Sequence, residues 1–233
     1  MFSANITGGG LLLQESRILA EQLLAGRRAD ELLSVSLAQN LLQKRSPATT
    51  KKMVGLIIPR LKTMDQRSLA VVVRGDKAEA SLLLLAAIAG CHRLVGDFLV
   101  YISRECIARY KPDVTFRDWE DFFAQCVSLQ PDMEKWSAAT AQKLRNVIFR
   151  LLVESGVLEG KSYRLRAYLD LDEPLEPGDV ISGQFRFRAI TPKENRTYHA
   201  GNGIFLLAYQ VDEVSFSPHT DASWRDIPAR LRH

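Results

Sequence analysis

The sequence predicts a mainly α fold: a helical bundle with helix-turn-helix-like elements over residues 1–160, then a β-rich C-terminal extension or wing-like subdomain over 161–233, α+β overall. Three observations predict it. Apolar residues recur at helical spacing through most of the first 155 positions. Several of those runs begin just after a Ser, Thr or Asp able to cap them. Beyond Gly156 the apolar period changes from about 3.6 to about 2, as strands require.

In chain order, Thr7-Gly8-Gly9-Gly10 precedes a helix over 11–25 that Gly26 stops. Three glycines can wrap a phosphate, but no G-x-x-x-x-G-K-S/T follows and no strand precedes, so a mobile N-terminal arm is expected. Residues 30–62 read as two helices joined by a tight polar turn. Leu32, Leu33, Leu37 and Leu41 mark the first. The second starts at Ser46, a good N-cap, with Pro47 at the first helical position and Met53, Val54, Leu56, Ile57, Ile58 and Leu61 as its apolar stripe. Pro59 is expected to kink or end it after Ile58.

A short helix over 63–73, capped near Asp65, breaks at Arg74-Gly75-Asp76. Asp76 then caps a long apolar helix to about residue 94, and a second run through Phe98, Tyr101, Ile102 and Cys106 reaches Tyr110. Lys111-Pro112-Asp113 is a stop, and Thr115 with Asp118 resembles a capping box for a helix over 116–129 that buries Trp119, Phe122, Phe123 and Cys126. Asp118, Glu120 and Asp121 form an acidic cluster there, which a helix start explains through its dipole. Ser137 caps a helix over 138–155 with Leu144, Val147, Ile148, Leu151 and Leu152 inward and Lys143, Arg145 and Arg150 partly outward. A helix ending in Gly156 and stepping into a strand is how a winged helix enters its wing, and also how many α+β proteins turn a corner. In the extension, Tyr163, Leu165, Ala167 and Leu169 alternate with polar residues, Phe185 and Phe187 alternate with Arg186 and Arg188, and 204–211 reads as a buried strand. Residues 11–156 supply a sizeable helix-patterned core, so a chain cut near Glu159 is expected to keep its helices.

With 233 residues, 46% of them hydrophobic and 25% charged, the composition is that of globular protein. The net charge of +4 is mild, but residues 1–60 hold eight Lys/Arg against four Asp/Glu, so the excess falls in the half carrying the Ser46 helix. Three widely spaced cysteines, Cys91, Cys106 and Cys126, form no C-x-x-C, which argues against a disulfide framework or a zinc site and for a reducing, cytoplasmic compartment. The longest apolar run, residues 82–91, is far short of the roughly 20 residues a membrane span needs. His92, His199, His219 and His233 are scattered, and G-x-S-x-G, H-E-x-x-H and G-x-G-x-x-G are all lacking. An enzyme is therefore not expected.

Five segments carry a family resemblance: ITGGGLLLQES, NLLQKRSPATTKKMVGLIIPRLKTM, DFLVYISREC, FRDWEDFFAQ and WSAATAQKLRNVIFRLLVESGVLE, in that order over about residues 5–160. In these the chain resembles the BrxA family of BREX bacteriophage-exclusion systems. The resemblance implies an all-helical fold related to the antitermination factor NusB and an association with DNA binding in a phage-restriction locus. It implies no catalytic residues, cofactor or metal. The seventy or so residues after 160 depart from the family pattern.

The expected function is non-catalytic double-stranded DNA binding within a BREX-type defence complex. An RNA-binding, antitermination-like role and a scaffold whose basic helix meets an acidic protein are the alternatives. Expected partners are double-stranded DNA and other BREX subunits, with a homo-oligomer left open and no membrane. Basic and hydroxyl side chains at an exposed helix start can meet phosphates and base edges. On that ground Lys44, Arg45, Thr49, Thr50, Lys51 and Lys52 are the candidate DNA contacts. Arg186 and Arg188 of the FRFR alternation are the candidates in the extension. The same Ser46 pattern also describes a capped bundle helix with a solvated basic face.

Overall fold

In a computed structural model of the chain, the structure describes residues 2–4, 6, 9–108, 113–160, 162–165, 167–169, 185–200 and 204–216. The apolar run read as a core helix becomes α5 (Lys77–Cys91), buried along Ala80 to Ala89 and therefore apolar on nearly every face. Around it pack α1 (Leu13–Leu24), α3 (Pro47–Leu61), α4 (Gln66–Arg74), α6 (Arg93–Ala108) and α8 (Ala138–Glu154). The short α2 (Leu32–Gln39) leans on α3, and α7 (Phe116–Leu129) on α6. Asp65, Asp76, Thr115 and Ser137 each accept a backbone N–H at the start of their helix, and Thr115 with Asp118 completes a reciprocal capping box. Phe98 of α6 gathers Trp119, Phe122 and Phe149 at centroid distances of 5.3, 5.1 and 5.7 Å, joining α6, α7 and α8.

The single long helix expected over 77–94 is broken. It ends at Cys91, His92 turns out to φ −133, and α6 leaves at 116° to α5. Among the described residues no single helix is long and apolar enough to cross a membrane.

Three expectations are corrected by packing. Of the two outcomes expected at Pro59, ending α3 after Ile58 does not occur: the proline lies in the last turn, where its missing N–H forfeits one bond, while Lys62 still donates to the Ile58 carbonyl at 3.0 Å and Leu61 is fully buried. Leu37 does not join the core. It is 42% exposed, and Ser36 faces inward instead. The N-terminal arm is packed: Phe2, Ile6 and Leu11 are buried, the Phe2 N–H donates to Gln130 Oε1 at 2.7 Å, and Arg93 lies over the Phe2 ring. Thr7 and Gly8 lie outside the described residues.

Gly156, at φ +81, ends α8, and the chain enters a small antiparallel hairpin of β1 (Leu158–Glu159) and β2 (Arg164–Leu165). Val157, Leu158 and Leu165 are buried, so the hairpin belongs to the helical core, and a boundary at residue 160 would divide it. β3 (Ala167–Leu169), β4 (Phe185–Ala200) and β5 (Ile204–Phe216) form a second antiparallel sheet in the order β3-β4-β5. Its long ladder changes register between Pro192 and Thr197, where proline cannot donate.

Candidate nucleic-acid interface

The start of α3 is built by its own sequence. Ser46 is extended, and its hydroxyl accepts the Thr49 N–H at 3.2 Å and pairs with the Thr49 hydroxyl at 2.9 Å. Pro47 takes the first helical position, where no N–H is missed. The connection from α2 spans residues 40–46, longer than the roughly three- or four-residue turn of a helix-turn-helix. Asn40 and Gln43 both take the left-handed conformation there, and Asn40 Oδ1 accepts the Lys44 N–H at 3.0 Å.

The six candidate side chains of this region separate into two groups. Arg45, Thr49, Lys51 and Lys52 are exposed. Thr50 is turned into the core at 2% exposure, its hydroxyl 3.5 Å from the Ser46 carbonyl, so it supports the helix start and offers nothing to a partner. Lys44 is only half-exposed and donates to Glu15 Oε1 of α1 at 2.8 Å. Burial pushes the Glu15 carboxyl up, but the hydrogen bond from Lys44, a backbone N–H and the ammonium charge outweigh this and hold it below the usual range. Lys44 thus staples the loop to α1. Arg186 and Arg188 are placed by their backbone alone, on β4 opposite Ser215 and Glu213 of β5.

A residue that local sequence patterns do not single out lies at the far end of the same helix. Arg60 is 1% exposed, and its Nη1 donates to the carbonyls of Gly10 and Leu11 at 3.1 and 3.4 Å. Its Nε and Nη2 have no partner. Burial pushes this guanidinium down to about 10 against the opposing pull of Cys91 and Glu154. Glu154 of α8 holds the same segment from the other side, accepting the Leu11 N–H at 2.6 Å. The glycines explain the fit: a Cβ on Gly9 would stand 2.9 Å from Leu56 Cδ1, and one on Gly10 2.7 Å from Glu154 Oε2. Gly9 and Gly10 therefore serve a close approach of backbone to side chains. Only the glycines themselves signalled it in the sequence. No group of three or more His, Cys, Asp or Glu able to hold a metal forms among the described residues.

The BrxA family model matches residues 1–171, which takes in every described helix, the β1–β2 hairpin and β3. The chain belongs to the BrxA family. The BREX protein BrxA of Paramagnetospirillum magneticum is 36% identical over 167 residues, 71% of this chain and 84% of that protein. That of Escherichia coli O9:H4 is 28% identical over 155 residues, 66% of this chain and 73% of the relative. The crystal structure of an uncharacterized protein from Magnetospirillum magneticum superposes with a TM-score of 0.62 at 31% identity, covering 77% of this chain and 89% of that one. The BrxA match includes the α3 start and Arg60, and stops before Arg186 and Arg188.

Proposed function

We propose that this chain is a non-catalytic, double-stranded DNA-binding component of a BREX-type anti-phage defence system. Membership of the BrxA family, whose relatives carry the name BREX protein BrxA, supports the defence role. The observation that carries the DNA contact is the start of α3, where Arg45, Lys51 and Lys52 stand exposed around a capped helix N-terminus while Val54, Ile57 and Leu61 behind them are buried. Cations there meet phosphates, and the first-turn amides favour the same anionic partner. Thr49 is exposed beside them, its hydroxyl shared with the cap. Other BREX subunits are the expected protein partners.

The test is a mobility shift with duplex DNA, duplex RNA and single strands at several salt concentrations. Replacing Arg45, Lys51 and Lys52 by Ala leaves the fold intact, since each such surface change alters stability by no more than about 0.5 kcal/mol. Duplex DNA affinity falls, and the slope of log affinity against log salt flattens by about 0.9 for each phosphate no longer neutralised, roughly 3 in all. A folded triple variant with unchanged affinity and slope removes α3 as the binding surface. Preference for duplex RNA over DNA would favour the antitermination-like role, and binding of neither would favour the scaffold.

A further inference from the structure

A cleft of about 380 Å³ opens where α8 meets the β1–β2 hairpin and the first turn of α7. That size is within the range of small-ligand sites, roughly 300–1,000 Å³. Three rings shape it. Phe149 is buried, Tyr163 stands edge-on to it at 4.8 Å, and Phe116 lies 5.1 Å from Phe149 and 5.6 Å from Tyr163. Phe116 is 40% exposed. Arg145 lies over its ring at 4.0 Å, with Nη1 4.0 Å from Glu120. Tyr163 holds φ 49, a left-handed conformation that bulky residues avoid, and its carbonyl accepts the Val114 N–H at 3.1 Å. The fold thus retains backbone strain at the residue that sets one ring in the cleft wall.

The cleft is not purely apolar. Asn146, Arg150 and Glu154 also line it. Lys143, Asn146 and Arg150 follow one another at i, i+3 and i+7 along α8 and are all exposed. Arg150 approaches Glu154 at 3.8 Å, too long for a hydrogen bond, and the other Glu154 oxygen is already taken by the Leu11 N–H. The result is an aromatic slot with an amide and a carboxylate at its edge, Arg150 in its wall and Lys143 seven residues back along the same helix face. An apolar peptide side chain would fill the slot but leave those polar edges unmatched. A base attached to a phosphate backbone matches both parts.

We propose that this cleft takes the base of one unpaired nucleotide in a DNA strand, stacked against Phe116 and Tyr163, with the flanking phosphates on Lys143 and Arg150. Base–aromatic stacking tolerates any base, and Asn146 and Glu154 meet its hydrogen-bonding edge. The assignment rests on the nucleic-acid reading above but not on α3, which serves paired DNA.

The experiment uses the full chain and a duplex carrying 2-aminopurine as a single-base bulge, beside the fully paired duplex and 2-aminopurine nucleoside monophosphate. The bulged duplex should bind about tenfold tighter than the paired one, with a saturable change in the 2-aminopurine emission as the base leaves its neighbours for the cleft. Phe116→Leu, which still covers Phe149, should erase that advantage, and Phe116→Trp should keep it. Neither variant should change affinity for paired duplex. Equal binding of bulged and paired duplexes, or an emission unchanged at saturation, overturns the proposal. So does a mononucleotide that binds as tightly as the bulged strand, since a free nucleotide would then be the occupant. The two readings fail separately. Paired duplex bound without a bulge advantage sinks the cleft alone, whereas a saturable emission change at the bulge with paired DNA unbound sinks the α3 reading alone.

Discussion

His92 stands half-buried at the break between α5 and α6, where burial, and then the charge of Arg60, lower its affinity for a proton. The sign follows from linkage. From about pH 6.5, where the imidazole titrates in the unfolded chain, downward to its folded value, the unfolded state binds a proton that the folded state does not. The unfolding free energy therefore falls as pH falls through that window. Urea melts at pH 7.5 and 5.0 should show a smaller loss for His92→Gln than for the parent, and Arg60→Met should shrink the loss as well by removing the guanidinium. Identical pH dependence in parent and His92→Gln would remove this imidazole as a source. Among the basic candidates near α3, Arg45, Lys51 and Lys52 stand where periodicity puts them. Lys44 does not, because its partner Glu15 is 29 positions away and no local pattern announces the pair.

Helix starts are the elements best written into this chain. Ser46, Asp65, Asp76, Thr115 and Ser137 each cap the helix they precede, because a side chain reaching the N–H three residues on is a purely local event. Helix ends are less legible, as Pro59 shows. Within α3, Gly55 is exposed, helical, and has nothing within 4 Å of where a Cβ would stand. Gly55→Ala should therefore raise the unfolding free energy by about 0.5–1 kcal/mol, read as a higher denaturant midpoint at unchanged m. A lower midpoint would mean that Gly55, four residues before Pro59, is needed to accommodate the proline ring.

For the whole molecule, the boundary of the helical body is the quantity to measure. The hairpin strand β2, the Tyr163 ring and buried Leu165 all lie beyond residue 159. A chain ending after 165 should keep one cooperative transition. One ending after 159 should keep its helical signal but lose on the order of 3 kcal/mol, from uncovering Phe149 and deleting Leu165. Chains of both lengths melting at the same denaturant concentration would show that the hairpin adds nothing to the core.

By itself the sequence determined which segments are helices, where most of them start, and that strands follow Gly156. Periodicity and capping act over three or four residues, and each such signal is complete within its own element. Periodicity also marked the inward stripes of α7 and α8, and tertiary structure decided the departures from such stripes. It turned Thr50 inward and Leu37 outward, bound Lys44 to α1, and buried Arg60 against Gly10 and Leu11. It also brought Phe116, Phe149 and Tyr163 around one cleft. The reason is that burial and pairing depend on residues tens of positions apart, whose meeting is set by how α5 gathers the other helices around it.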